Sequence, residues 1–187
     1  MMIVLNGRSL EKLPQLFADW FAAKGWQPHA HQLAMLAAAQ AGISSLLIAP
    51  TGGGKTLAGF LPSLIDLNKN PISGLHTLYI SPLKALAADI QRNLATPIAE
   101  LNLPVSVEVR TGDTSSFRRT RQFKKPPHIL LTTPESLELI LSDPEASRLL
   151  TNLRRIVVDE IHALAPGKRG HLTALCIAQI KRLCPRV

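Results

Sequence analysis

Residues 45–56 read S-L-L-I-A-P-T-G-G-G-K-T, an apolar run that breaks into three consecutive glycines and a lysine–threonine pair. The run predicts a buried parallel strand over residues 45–49, and the break predicts a phosphate-binding loop. Glycines let the backbone curl around a polyphosphate with its N–H groups pointing inward, while the next helix starts beneath the anion. Gly52, Gly53 and Gly54 would make that curl, Lys55 would reach the outer phosphates of a nucleoside triphosphate, and Thr56 would offer its hydroxyl to magnesium. A bland alternative is a glycine-rich turn before a helix, with Lys55 as an ordinary solvated side chain. Strand, glycines, Lys-Thr and helix in the required order favour the phosphate loop.

The strict form of this motif has glycine where this chain has Ala49. The departure narrows the class, because many nucleic-acid translocases and helicases resemble A-x-T-G-x-G-K-T. Ala49, Thr51, Gly52, Gly54, Lys55 and Thr56 match that form letter for letter.

At 187 residues the chain suits one α/β domain and is too short for two of that kind. With 46% hydrophobic and 18% charged residues it is globular in composition rather than disordered. A formal charge of +8 favours a polyanionic partner. Part of that charge is local: Arg110, Arg118, Arg119, Arg121, Lys124 and Lys125 face a single nearby acid, Asp113. Strand binding and a solvated helix face are both open readings of this patch. Cys176 and Cys184 lack a C-x-x-C pairing and read as reduced thiols. The start M-M-I-V-L is too short and too soon interrupted, at Asn6 and Arg8, for a secretion signal, and no window approaches a membrane span. A cytoplasmic location is expected.

Residues 9–24 place Leu10, Leu13, Leu16, Phe17, Trp20 and Phe21 at helical spacing, and Gly25 stops that helix. Trp26, Gln27 and Pro28 turn the chain into a second helix that begins around His29 to Gln32. From spacing alone, Gln32 reads as a polar residue on a helix face. After a helix over residues 57–67, strands are expected at 75–80, 105–109, 128–131 and 154–158. Ser81-Pro82 reads as an N-cap followed by a first-turn proline, for a helix that yields near Pro97, and Thr133-Pro134-Glu135 reads the same way. Alternation of strands and helices predicts a mainly parallel twisted sheet with helices on both faces. Five distinctive loops, at residues 52–56, 81–84, 111–113, 133–135 and 159–162, each follow an expected strand. They should share one rim, where ligands bind such sheets.

The run I-V-V-D-E-I-H over residues 156–162 is an apolar strand ending in two carboxylates. Asp159 fits magnesium, partly through water and beside Thr56; Glu160 fits the base that orients attacking water on a γ-phosphate. A solvated acidic pair is the alternative, weakened by the phosphate loop upstream.

Taken in order, A-P-T-G-G-G-K-T, S-P-L-K-A-L, T-G-D, T-T-P-E-S-L and V-V-D-E-I-H resemble the first motor domain of superfamily 2 DExH-box helicases. S-P-L-K-A-L, P-P-H-I-L-L-T-T-P-E-S-L and D-E-I-H-A-L followed by K-R-G-H-L resemble the large-helicase-related group within it. The nearest likeness is the bacterial ligase-associated DNA-damage-response branch. The resemblance covers nearly the whole chain and implies a RecA-like P-loop NTPase domain over residues 1–187, with a helical glutamine-motif region at about 9–41.

It further implies ATP and Mg2+ as cofactors and single-stranded DNA as partner, RNA being the alternative, with Gln32 as the residue that reads adenine. Lys55, Asp159 and Glu160 become the catalytic set. Ser81, Pro82, Lys84, Thr111, Gly112, Asp113, Thr133, Pro134 and Glu135 match segments that grip one strand through its backbone, as helix N-termini and small hydroxyl residues can without reading bases. His162 matches a position that couples the ATP site to the partner domain and nucleic acid. The implied activity is that of an ATP-dependent 3′–5′ helicase in DNA repair, with partners such as a ligase. The family's second RecA-like domain, which supplies arginine fingers, is absent from these residues, so the chain alone is expected to bind ATP, hydrolyse it slowly and unwind nothing. The alternative is a nucleotide-responsive nucleic-acid-binding module without motor activity.

Overall fold

A computed structural model of the chain describes residues 13–50, 52–185 and 187. Its elements run α1 (Gln15–Ala23), α2 (Ala30–Gln40), α3 (Lys55–Lys69), β1 (Thr77–Ile80), α4 (Lys84–Glu100), β2 (Val107–Arg110) and α5 (Ser116–Lys124). They continue as β3 (Ile129–Thr132), α6 (Pro134–Leu141), α7 (Ala146–Leu150), β4 (Arg155–Val158), α8 (Ile161–Leu164) and α9 (Lys168–Leu183). The expected helix over residues 9–24 is present from Gln15; residues 9–12 and Thr51 lie outside the described residues.

The four strands form a parallel sheet in the order β2-β3-β1-β4. Side chains alternate across it and each face has its own core. Tyr79, Ile129 and Leu131 pack on one side with Phe60, Leu64, Ile90 and Leu94 from α3 and α4. Leu78, Ile80 and Leu130 pack on the other with Leu137, Ile140 and Ile180 from α6 and α9. The sheet with helices on both faces is therefore as the alternating pattern predicts. Cys176 and Cys184 are free thiols, and among the described residues no helix is long and apolar enough to cross a membrane.

The strand expected at residues 45–49 is not in the sheet. This segment forms no strand and is largely exposed, with Leu46 at 57% and Ile48 at 72% of full exposure. A cavity of about 780 Å³ separates Leu46, Leu47 and Ile48 from Ile156, Val157 and Val158 of β4. A strand is defined by a ladder with a neighbour about 4.8 Å away, and apolar residues without that neighbour have nothing to bond. For the same reason β4, an edge of the sheet, is only half-buried along its length rather than the buried strand its apolar run suggests.

Two helix boundaries also differ from expectation. Ser81 does not cap α4: its hydroxyl donates to the Leu83 carbonyl at 2.9 Å, and Leu83 in extended conformation is the N-cap. Pro82 therefore precedes the helix, and its carbonyl is not drawn into the first turn. At the other end α4 runs through Pro97 to Glu100. Pro97 falls in the last turn with its ring buried, where losing one backbone bond is offset by packing. Thr133 and Pro134 do occupy the N-cap and first positions of α6.

Below the sheet, at the start of β1, the buried His76 places Nδ1 2.8 Å from the Thr77 hydroxyl, which donates to Ser63 at 2.8 Å. Arg155 pairs with Asp66 at 2.5 Å, and Asp66 stands 3.9 Å from His76 Nε2. Burial, and then the Arg155 charge, lower the His76 pKa from 6.5 to about 4 against a weaker upward pull from Asp66. The folded value lies below the unfolded one, so between those pH values only the unfolded chain takes the proton. Stability should fall by up to about 3 kcal/mol as pH drops from 6.5 to 4 through this group. Denaturant unfolding across that range measures it. His76→Asn, which keeps a donor toward Thr77 but does not titrate, should flatten the slope.

Candidate nucleotide and strand site

Ladder register places the site. Ile80 pairs with Thr132 and with Val158, and Arg110 pairs with Thr132. All four strands end level, so Ser81, Thr111, Thr133 and Asp159 begin their loops side by side on one rim. Four of the five distinctive loops are thus brought together by hydrogen bonding of the sheet itself. The fifth, the glycine loop, reaches this region through α3, which approaches β4 closely at Gly59; a Cβ there would sit 3.4 Å from Val157.

In the glycine loop, Gly52 and Gly54 have φ of +81° and +71°, a region that suits glycine. Gly53 N donates to the Pro50 carbonyl at 3.1 Å and closes the turn. Gln32 braces it from α2. Its Nε2 donates to the Gly54 carbonyl at 3.3 Å while its Oε1 accepts from the His29 amide at 2.9 Å. Gln32 is buried, so it is no ordinary polar residue on a helix face. A Cβ on Gly54 would lie 2.6 Å from Gln32 Nε2.

A cavity of about 980 Å³ opens over this brace, lined by Trp26, His29, Gln32, Gly52, Gly54 and Thr56 among others. Trp26, read from sequence only as part of a turn, is 54% exposed and presents an aromatic wall. Lys24 lies 5.4 Å from its ring centroid and 5.7 Å from that of Trp20, and pairs with Glu100 at 2.8 Å. The volume and the mixture of aromatic, amide and loop backbone suit a purine nucleotide.

Lys55 lines the other cavity, together with Asp159, Glu160 and His162. Asp159 is held at both oxygens: Oδ2 accepts from the Tyr79 hydroxyl at 2.6 Å, and Oδ1 from the Glu160 amide at 2.8 Å. Tyr79 is buried, and burial together with the Asp159 hydrogen bond and charge keeps its phenol protonated far above the ordinary value. It therefore keeps the proton it donates to Asp159, and sequence reading assigned it no part in the site. Glu160 takes a left-handed backbone, φ 47° and ψ 45°, costly for a side chain with a Cβ and characteristic of functional sites. Its carboxylate is 3.3 Å from His162 Nδ1.

No cluster of three metal-binding side chains occurs among the described residues. A magnesium ion suits this donor set nonetheless, because it binds through one or two carboxylates and completes its shell with water and substrate phosphates. Asp159 and the Thr56 hydroxyl are the groups that would hold it, although Thr56 lines the cavity over Gln32 and Asp159 the cavity that Lys55 lines.

The strand-side residues are unevenly presented. Ser81, Thr111 and Thr133 are buried at 0, 7 and 4% of full exposure. Lys84, Gly112, Asp113 and Glu135 are exposed. Lys84 Nζ bonds both oxygens of Asp113 at 2.8 Å, joining two of the expected segments. Glu135 is paired by Arg169, a residue that spacing did not single out. The basic patch is smaller than its residue count. Arg110 is buried and stacked 4.5 Å from the Phe123 ring, Arg119 donates to the Gly112 carbonyl, and Arg121 pairs with Glu108.

A family model described as DEAD/DEAH box helicase matches residues 29–186. The chain is 42% identical over 156 residues to the ATP-dependent helicase Lhr-Core of Methanothermobacter thermautotrophicus, covering 76% of this chain and 18% of that protein. It is 38% identical over 196 residues to the Lhr helicase/uracil glycosylase of Escherichia coli, covering 91% and 12%. Among solved structures, helicase Lhr of Mycobacterium smegmatis bound to ssDNA and AMP-PNP superposes with a TM-score of 0.83 at 42% identity, over 91% of this chain and 23% of that one. The DUF1998 helicase MrfA bound to DNA and AMPPNP gives 0.82 at 30% identity, over 92% and 24%. The chain thus spans less than a quarter of each of these proteins.

Gly54→Ala should destabilise the chain by about 1–3 kcal/mol, from the left-handed backbone and the collision with Gln32 together. In a Gln32→Ala background the collision disappears and the φ cost remains, so the effect of Gly54→Ala should shrink but not vanish. Denaturant unfolding of the four proteins reads this directly.

Proposed function

Because the chain belongs to the DEAD/DEAH box helicase family, we propose that it is the ATP-binding, strand-gripping RecA-like domain of a large-helicase-related ATP-dependent DNA helicase. The observation that carries this reading is the level rim, which sets Asp159 and Glu160 beside the loops that begin at Ser81, Thr111 and Thr133. Nucleotide and strand would then act on one set of strand ends.

In this reading the adenine lies in the cavity over Gln32, with Trp26 offering a stacking face and the Gln32 amide the polar match. Gly52, Gly53, Gly54 and Thr51 wrap the phosphates, and Lys55 carries positive charge to the β and γ groups. Thr56 and Asp159 hold magnesium, which neutralises phosphate charge when bound. Tyr79 fixes the Asp159 carboxylate, Glu160 orients the attacking water, and His162, beside Glu160, relays the state of the site outward. Lys84 and the rim backbone of residues 81–82, 111–113 and 133–135 meet the sugar-phosphate chain. Direction 3′ to 5′, preference for DNA over RNA, work in repair beside proteins such as a ligase, and a cytoplasmic location complete the proposal. The preference for DNA is supported by a structural neighbour bound to ssDNA, and the others rest on the likeness to the large-helicase-related group. The relatives' much greater length leaves room for the second motor domain that would supply arginine fingers to the γ-phosphate.

The test is nucleotide binding, DNA binding and turnover of the 187-residue chain. It should bind Mg-ATP, lose at least tenfold in affinity with Lys55→Ala, and turn over slowly with little stimulation by single-stranded DNA. Strong DNA-stimulated turnover abolished by Glu160→Gln would overturn the need for a second domain; absence of ATP binding would overturn the site itself. An RNA oligonucleotide that competes better than DNA of equal length would replace the substrate.

Tyr79→Phe removes a hydrogen bond to a charged group, a contribution of about 1.5–3 kcal/mol. It should weaken ATP binding about tenfold in magnesium and leave binding in chelator unchanged, as calorimetric titration in the two buffers would record.

A further inference from the structure

One side chain outside the proposed nucleotide and strand contacts touches two of the rim loops at once. Arg169, in the first turn of α9, donates from Nε to Glu135 Oε1 at 2.5 Å and from Nη2 to Oε2 at 3.2 Å. The same Nη2 donates to the Pro82 carbonyl at 2.6 Å. Pro82 follows β1 and Glu135 follows β3, while Arg169 belongs to the segment that follows β4. A planar guanidinium with several fixed donors can bridge three neighbouring loops in this way, where a lysine ammonium offers a single point.

The segment bearing Arg169 is itself held firmly. Gly170 packs so closely on the end of α8 that a Cβ there would lie 2.5 and 2.6 Å from the Leu164 and Ala165 carbonyl oxygens. Its amide donates to Gly167 at 3.1 Å, and Gly167 has a φ of +89°. Only α8 and this turn separate Arg169 from Glu160. The Pro82 carbonyl can accept because α4 starts two residues later, at Lys84. Glu135 belongs to the pair in charge as well as geometry: burial raises its pKa, but the Arg169 hydrogen bond and charge, together with hydrogen bonds from its own backbone amide and from Thr133, outweigh this and hold the carboxyl below its usual range.

Resting on the strand-binding reading above, we infer that Arg169 is a positioning residue. It clamps the loops at residues 81–84 and 133–135 to the helix that follows the Asp159–Glu160 carboxylates, and Glu135 serves this clamp rather than the phosphates. A free carboxylate on a phosphate-binding rim would repel the ligand; paired with Arg169 it orders the rim instead.

The sign of one substitution separates the clamp from simple charge. Binding of a fluorescein-labelled oligothymidylate is followed by anisotropy for the 187-residue chain and for Glu135→Gln, Arg169→Gln, Arg169→Lys and the double Gln variant. The clamp predicts that each single variant, including the one that removes a negative charge, weakens binding about 5- to 10-fold, and that the double variant is no worse than Arg169→Gln. Glu135→Gln binding more tightly, with Arg169→Lys equal to the parent, would overturn it and make Arg169 a plain phosphate contact. Amide hydrogen exchange supplies a second readout that does not need DNA. Each single variant should speed exchange several-fold in both loops, including the loop it does not touch; acceleration confined to the mutated segment overturns the clamp. If the parent chain binds no oligonucleotide, the strand-binding reading fails, while exchange still decides whether Arg169 joins the loops.

Discussion

The parallel ladder is the constraint on which the rest depends. Once Ile80, Thr132, Val158 and Arg110 are in register, the residues that follow them have no freedom to be anywhere but side by side. Three of these loops begin with a small hydroxyl residue buried in the rim, Ser81, Thr111 and Thr133, and the fourth with Asp159. Ser81 extends the ladder by one bond, donating its amide to the Thr132 carbonyl at 3.0 Å, and Asp159 does the same toward Ile80 at 2.9 Å. Backbone pairing therefore continues into the loops, which gives the rim a rigidity that short loops alone would lack.

The nucleotide side is built differently. The segment leading into the glycine loop has no ladder, so the loop depends on α3 below it and on Gln32 beside it. Gln32 divides its amide between the Gly54 carbonyl and the His29 amide, and the space left for it exists because position 54 has no side chain. A single glutamine thus supports the loop and lines the cavity where a purine fits. Across the way, Tyr79 reaches from the centre of β1 to the Asp159 carboxylate at the end of β4. Helix and sheet contribute one brace each.

On the strand side of the rim, exposed acids are each held by a cation. Asp113 is held by Lys84 and Glu135 by Arg169, and part of the basic stretch over residues 110–125 is turned inward or onto local partners. What faces a polyanion is therefore set by which cations are already engaged, more than by the formal excess. The pairs are partly exposed and individually modest in strength. Their effect is to fix where the loops stand.

The amino-acid sequence by itself determined the class of fold, the glycine loop, the acidic strand end and the gathering of distinctive loops on one rim. These follow from local signals: period-2 and period-3.6 apolar patterns, glycines at positive φ, and loops that come directly after strands. Tertiary structure alone decided the rest. Gln32 meets Gly54 across 22 residues, Arg169 meets Glu135 across 34, and Tyr79 meets Asp159 across 80, separations at which no periodic pattern carries information. The run at residues 45–49 has every local mark of a strand and is not one, because strand character belongs to the hydrogen-bonded neighbour as much as to the residues. Ser81 and Pro82 likewise have the chemistry of a helix start, yet the continued pairing of Ser81 with β3 carries the chain two residues further before it turns, and so leaves the Pro82 carbonyl for Arg169.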